Sequence, residues 1–201
     1  MERQDKISWK PGTMLFPLPV VMVTCGDMDA DNNHCNIITI AWTGITCSDP
    51  PMCYISVRPE RHSYSLIEKH REFGINLTTA DLAFATDWCG VKSGKDVDKF
   101  KEMNLTPFRG SVINAPLIAE SPVNLECRVT DIRPLGTHHM FLAEIVAVHG
   151  SQAFLNAETG AFDLARAHPI CYSHGKYYQS GSFIGKFGFS VEKKKKKKKG
   201  K

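Results

Sequence analysis

The sequence predicts a mainly β fold with helical additions, built as a closed barrel of the Greek-key type. Three observations carry that expectation. Short strand patterns outnumber helical ones, with roughly six or seven strands joined by hairpins and two or three helical crossovers. The stretch 123–130 has period two, with Val123, Leu125, Cys127 and Val129 alternating with Asn124, Glu126, Arg128 and Thr130, the signature of one buried and one wet face. There is no β-α-β-α alternation and no Gly-x-Gly-x-x-Gly, which argues against a Rossmann domain.

The elements follow in chain order. Residues 20–24 are a β-branched run suited to a buried strand. Residues 26–33 are rich in Asp, Asn and Gly and read as a hairpin turn. Asp27, Asp29 and Asp31 imitate the start of a calcium loop, but Asn32 and Ile38 occupy the positions that need glycine and glutamate. Residues 36–42 and 52–57 read as strands flanking a Thr/Gly/Ser/Cys turn and Asp49-Pro50-Pro51. Ser63 or Ser65 is expected to cap a helix through about residue 71, and Ser65-x-x-Glu68 permits a capping box. Residues 73–77 read as a strand, 81–89 as a helix, and 92–95 as a loop. A short helix is predicted over 96–103. After strand 123–130 the chain turns at 136–139. It returns over 140–149 as a nearly continuous apolar strand, which implies burial on both faces or a dimer contact. Residues 156–168 read as a loop with one helical turn, and the chain beyond Gly175 as a tail rich in Gly, Lys and aromatics.

Composition bounds the function classes. At 201 residues, 42% hydrophobic and 23% charged, the chain fits one globular domain able to bury its own core. The expected organisation is an extension over 1–13, a domain over 14–180 and a C-terminal extension over 181–201. No segment approaches the ~18–20 unbroken apolar residues of a membrane helix. Residues 1–10 are polar and charged, unlike a secretory signal, so a cytoplasmic location is expected. The net charge of +4 includes eight lysines, Lys193 to Lys199 and Lys201, which leaves −4 on the rest. Such a run reads as a disordered, solvated tail that touches nucleic acid or anionic lipid only non-specifically. The seven cysteines include no Cys-x-x-Cys, which excludes a zinc ribbon, a thioredoxin-type pair and a disulfide framework. Cys25, Cys53 and Cys127 fit buried strand positions. The sequence offers no metal site and no nucleophile elbow.

Three segments carry chemistry. In Arg58-Pro59-Glu60-Arg61-His62-Ser63, a helix start supplies free N–H groups, Arg61 a bidentate fork and Ser63 a hydroxyl, all suited to an anion. Read alone, the same segment fits a surface arginine pair balanced by Glu60. Between Asn36 and Ser48, Thr39, Thr43, Thr46, Cys47 and Ser48 offer small polar groups, and Gly44 permits close backbone approach. Such groups read the edges of a planar heterocycle, or serve an ordinary strand and turn. Trp42 fits either core or stacking platform. Lys92-Ser93-Gly94-Lys95 lacks the full phosphate-loop pattern, but its lysines suit a phosphate as point charges.

Taken in this order, the segments resemble the flavin reductase-like family, and its flavoredoxin-like branch in particular. The resemblance rests on Asn36-Ile37-Ile38-Thr39-Ile40-Ala41-Trp42, then Ser48-Asp49-Pro50-Pro51, then Arg58-Pro59-Glu60-Arg61-His62-Ser63-Tyr64. Phe73-Gly74-Ile75-Asn76-Leu77, Asp96-Val97-Asp98-Lys99-Phe100 and Pro122-Val123-Asn124-Leu125-Glu126-Cys127 support it. The resemblance covers roughly residues 14–180 and implies an FMN-binding split β-barrel, FMN as cofactor and a homodimer. It implies NAD(P)H as hydride donor, or reduction by a redox protein partner. By matching positions, Asn36, Thr39, Ile40, Ala41, Trp42, Cys47 and Ser48 line the flavin ring. Arg61, His62, Ser63 and Lys92 take the phosphate side, and Asn76 approaches from a neighbouring strand. Cys47 stands where the family often has serine, and a thiol is a poorer hydrogen-bond partner. No protein acid or base need be conspicuous, because the flavin does the chemistry.

Overall fold

In the computed structural model, residues 5–29 and 35–191 are described. The strands are β1 (Leu18–Pro19), β2 (Val21–Cys25), β3 (Asn36–Ile40), β4 (Thr43–Ser48), β5 (Pro51–Val57) and β6 (Glu72–Leu77). They continue with β7 (Pro107–Arg109), β8 (Pro116–Ile118), β9 (Val123–Pro134), β10 (His139–Gly150), β11 (Ile170–Ser173) and β12 (Lys176–Gln179). The helices are α1 (His62–His70), α2 (Ala83–Val91) and α3 (Lys99–Glu102).

Seven strands form one antiparallel sheet in the order β3-β2-β6-β9-β10-β5-β4. Its two end strands, β3 and β4, are consecutive in the chain and joined only by Ala41 and Trp42. That short link forces the sheet to curl until its ends meet. The link and the start of β4 are pinned to β5: the Ser56 N–H donates to the Trp42 carbonyl at 2.9 Å, and the Thr43 hydroxyl to the Tyr54 carbonyl at 2.7 Å. The enclosed core includes Val21, Val23, Ile38, Ile40, Ile55, Val57, Phe73, Ile75, Val129 and Phe141, with Cys25, Cys53 and Cys127 as small hydrophobes among them. A second core lies on the outer face of β2 and β3. There Met22 and Ile37 pack under Leu82, Ala85 and Cys89 of the α2 region and Phe100 of α3.

Several expectations are corrected. Residues 43–48 are a strand, not a turn, because Thr43, Ile45 and Thr46 suit a pleated surface next to β5. The alternation over 123–130 is broken: Asn124 and Glu126, expected wet, are buried. The loop joining β7 to β8 bonds Glu126, and Ile118 of β8 bonds Asn124, so this half of β9 is covered on both faces. Of the two readings of the apolar strand β10, it is burial on both faces that fails: Phe141 and Ala143 are buried, while Val148 is exposed. Helix α1 opens at His62, with Arg61 as a cap residue whose side chain makes no capping bond. Neither serine caps it. Ser63 takes a bond from Asn36, Ser65 donates to the His62 carbonyl, and Glu68 accepts from Tyr64, so no capping box forms. Helix α3 is a single turn, because Asp98 rather than Asp96 accepts the N–H groups of Phe100 and Lys101. Strand β12 lies where an irregular tail is expected; it and its partner β11 are four residues each, too short to show a period.

The antiparallel pairing of β2 with β3 fits a hairpin over 26–33, though residues 30–34 lie outside the described part. The lysine run of 193–201 also lies outside it.

Candidate functional site

Two cavities share Ile38, Arg61 and Val91 and make one bipartite cleft beside β3. The first lobe, of about 300 Å³, is walled by Thr39, Ile40, Ala41 and Trp42 from the strand end. Tyr172 of β11, Tyr177 of β12 and His138 complete an aromatic rim. The Trp42 indole stacks on the His138 ring, with 6.2 Å between centroids and 5° between planes. Tyr177 donates to the Asp87 carboxylate at 3.1 Å; burial first, and that carboxylate second, push its phenol up to about 12.

The second lobe, of about 240 Å³, is polar. Arg61, His62 and Ser63 bring the uncapped start of α1 to it, and Lys92, Ser93 and Gly94 close it from beyond α2. The cations Arg61, Lys92 and Lys99 all line it. Its one acid among the described lining residues, Glu60, is engaged by Arg58 at 2.8 Å. Asn36 donates to the Ser63 hydroxyl at 2.8 Å and so ties β3 to the helix start. A Cβ on Gly94 would collide with the Asn36 side-chain oxygen, so only glycine lets this loop come so near.

Arg61 and Lys99 are held by one helix end. The Arg61 guanidinium donates to the Gly90 carbonyl. The Lys99 ammonium donates to the Cys89 and Ile37 carbonyls, both at 2.7 Å. The C-terminal carbonyls of α2 lack helical partners, and its negative dipole end favours these cations. Lys99 is only 3% exposed. Burial lowers its pKa to about 8, with Arg61 adding to the fall and Cys89 and Cys25 opposing it. Burial keeps the Cys25 thiol up at about 12 and the Cys89 thiol at about 11, so neither is a thiolate near neutral pH.

The structure therefore brings together Asn36, Thr39, Ile40, Ala41, Trp42, Arg61, His62, Ser63 and Lys92 around one cleft. The Thr39 hydroxyl is directed to the Thr86 carbonyl of α2. Three expected residues stand apart. Cys47 and Ser48 lie at the far end of β4, where the Cys47 thiol donates to the Asp49 carbonyl at 3.3 Å, and neither lines the cleft. Asn76 is fully buried. Its amide donates to the Met22 carbonyl and the Thr24 hydroxyl and accepts from Ile118 N–H and the Asn124 amide. With those four bonds made it is a strut of the barrel wall. Lys99, Tyr172, Tyr177, His138 and Asp87 join the site without being expected there. A lysine in an Asp-Lys-Phe helix turn reads as a surface charge, and the tyrosines arrive from more than a hundred residues away along the chain.

Comparison with known proteins bears on this geometry. The flavin reductase like domain matches residues 13–181. Flavoredoxin of Desulfovibrio vulgaris (Miyazaki F) is 28% identical with a TM-score of 0.85, over 94% of this chain and 100% of that one. Flavoredoxin from Methanosarcina acetivorans is 26% identical with a TM-score of 0.81, over 94% and 100%. The reductase component of a 4-nitrophenol 4-monooxygenase/4-nitrocatechol 2-monooxygenase from Rhodococcus opacus is 28% identical over 146 residues, 73% of this chain and 66% of that one.

Proposed function

The chain belongs to the flavin reductase-like domain family, and from that premise we propose that it binds FMN in the bipartite cleft and works as an NAD(P)H-dependent flavin reductase-type oxidoreductase. The observation that carries this reading is the division of the cleft. An apolar lobe rimmed by Trp42, Tyr172 and Tyr177 joins, at Arg61, a polar lobe rich in cations. A flat ring with a phosphate at the end of a chain has the same division. The donor set suits a dianion: an arginine fork, two lysines and an uncapped helix start. The residues present therefore fit the group.

In this reading Ile40, Ala41 and Trp42 flank the ring, and Arg61, Ser63, Lys92 and Lys99 hold the phosphate. Bound FMN supplies acceptance of hydride from NAD(P)H and passage of electrons to an acceptor. The protein orients the flavin and shields it from water. Tyr177 stays protonated beside Asp87 and closes the apolar lobe as a neutral donor. Residues 14–180 are the flavin-binding unit, with 1–13 and 181–201 as extensions. The working form is a cytoplasmic homodimer that uses no specific nucleic acid and no membrane. The likeness to two flavoredoxins favours a second reading, a non-catalytic electron carrier reduced by a protein partner.

Anaerobic mixing of the purified yellow protein with NADH or NADPH separates the two. Bleaching within seconds supports the reductase; reduction by dithionite alone supports the carrier. A colourless protein that refuses added FMN overturns both.

Lys99 supplies a prediction with a distinctive sign. Only its charged form attracts phosphate, so FMN affinity is expected to weaken as pH rises through about 8. Folding stability moves the other way. The folded chain gives up this proton at about 8, below the ordinary value of 10.5, so stability rises across that interval. Lys99→Met is expected to lower FMN affinity roughly tenfold and abolish the opposed trends, read by flavin fluorescence and urea titration.

A further inference from the structure

The apolar lobe holds a cation that FMN binding leaves unused. Arg58 follows β5, whose last residue, Val57, is buried in the barrel core. Strand alternation turns Ser56 and Arg58 the other way, and both line the apolar lobe. The Ser56 N–H is bonded to the Trp42 carbonyl, which sets this end of β5 beside the Trp42 wall. The Arg58 side chain is half exposed, and its Nε lies 2.8 Å from a Glu60 carboxylate oxygen. Among the described residues, neither of its Nη nitrogens has a hydrogen-bond partner. The lobe's other guanidinium, Arg61, is committed to the Gly90 carbonyl and to the polar lobe. Its one acid among the described lining residues, Asp87, already accepts from Tyr177. An aromatic cavity with an open guanidinium at its edge suits a flat ring that trails an anion.

We propose that Arg58 takes the pyrophosphate of the NAD(P)H donor and so sets the nicotinamide against the flavin ring; this rests on the reductase reading above. The polar lobe accommodates the flavin's own phosphate, so the donor is the molecule left to bring an anion to the apolar lobe. In either dinucleotide the pyrophosphate is the charge nearest the nicotinamide, which fits a residue that lines the ring lobe itself. The 2′-phosphate of NADPH lies farther along the molecule. A guanidinium matches two phosphate oxygens with its planar fork, which an ammonium does not. Glu60 competes for the same group, but an exposed ion pair of this kind is worth little and is easily displaced. The role is one of binding: a guanidinium stays charged, so Arg58 neither gives nor takes a proton.

The test compares Arg58→Gln and Arg58→Lys with the parent, all loaded with FMN. The donors are NADH, NADPH and N-benzyl-1,4-dihydronicotinamide, which carries no phosphate. Arg58→Gln is expected to raise KM for NADH and NADPH alike, roughly tenfold, with kcat little changed. NAD⁺ binding to the oxidised protein, read by tryptophan quenching, should weaken by the same factor and lose part of its salt dependence. The loss should be confined to the phosphate-bearing donors, with the benzyl donor moved by less than about twofold. Arg58→Lys should recover only part of it. The proposal is overturned if KM for the dinucleotides keeps the parent's value, if NADPH alone is affected, or if the benzyl donor loses as much as NADH. Loss of FMN from Arg58→Gln reassigns the arginine to the flavin and overturns it too. A yellow parent reduced by the benzyl donor but by neither dinucleotide overturns it while leaving the flavin site standing. A parent that takes up no FMN overturns the reading of the cleft itself, and the proposal with it.

Discussion

Arg61→Ala is expected to lower FMN affinity by roughly two orders of magnitude, the largest binding effect of any single substitution in the cleft. Arg61 is common to both lobes, so its loss acts on the ring end and the phosphate end together. Its guanidinium also satisfies the Gly90 carbonyl at the end of α2, where the chain turns towards Lys92. Removal therefore takes away a charge-assisted partner for phosphate and frees a helix-terminal carbonyl. Arg61→Lys keeps the charge but loses the planar fork, and should recover only part of the loss. Fluorescence quenching of FMN on titration reads both variants. Wild-type affinity in Arg61→Ala would mean the phosphate end lies elsewhere.

The largest stability effect is expected at Glu126. Its side chain is fully buried in the barrel wall, yet its carboxylate accepts from Ser111 N–H, Val112 N–H and Ile113 N–H, each at 2.7 Å. The Ser111 hydroxyl adds a bond at 2.9 Å and His149 one at 2.5 Å. Burial by itself would raise the pKa; His149 and the three backbone groups overcome it and hold the carboxyl at about 2. The folded value lies below the ordinary value of 4.5, so this stabilisation is complete above about 4.5 and fades as pH falls towards 2. Glu126→Gln places an amide N–H₂ against a row of backbone donors. It is expected to cost about 3–5 kcal/mol, or roughly 10 °C in melting temperature. Scanning calorimetry at neutral pH checks it, and the gap between the two proteins should shrink near pH 3. A β-branched residue at Gly110 should do similar harm, since a Cβ there would lie 2.5 Å from the Glu126 carboxyl carbon.

The sequence showed the barrel more clearly than the cleft, for a physical reason. Strands β2 and β3 carry dense β-branched patterns, and hairpin registers follow from nearby turns. The half of the cleft built from one continuous stretch, Asn36 to Trp42 and Arg61 to Ser63, was legible because local order already sets its spacing. The other half comes from closure. Tyr172 reaches Trp42, and Tyr177 the same cavity, only because β11 pairs with β1, just ahead of β2. Lys99 is buried by carbonyls that belong to β3 and α2. Asn76 and Cys47 misled for the opposite reason. Their residue types suit a ligand, but Asn76 has exhausted its amide on the barrel wall and Cys47 lies at the end of β4 away from this cleft.

Strand β3 ends the seven-stranded order and, among the described residues, pairs only with β2. Such a margin is an aggregation hazard, because unpaired main-chain groups template strand addition from another molecule. Here the hazard is managed from the cleft side: Lys99 occupies the Ile37 carbonyl, and α2 is stapled across the strand through Thr39. The margin that strand addition would use therefore lies along the same strand that walls the cleft.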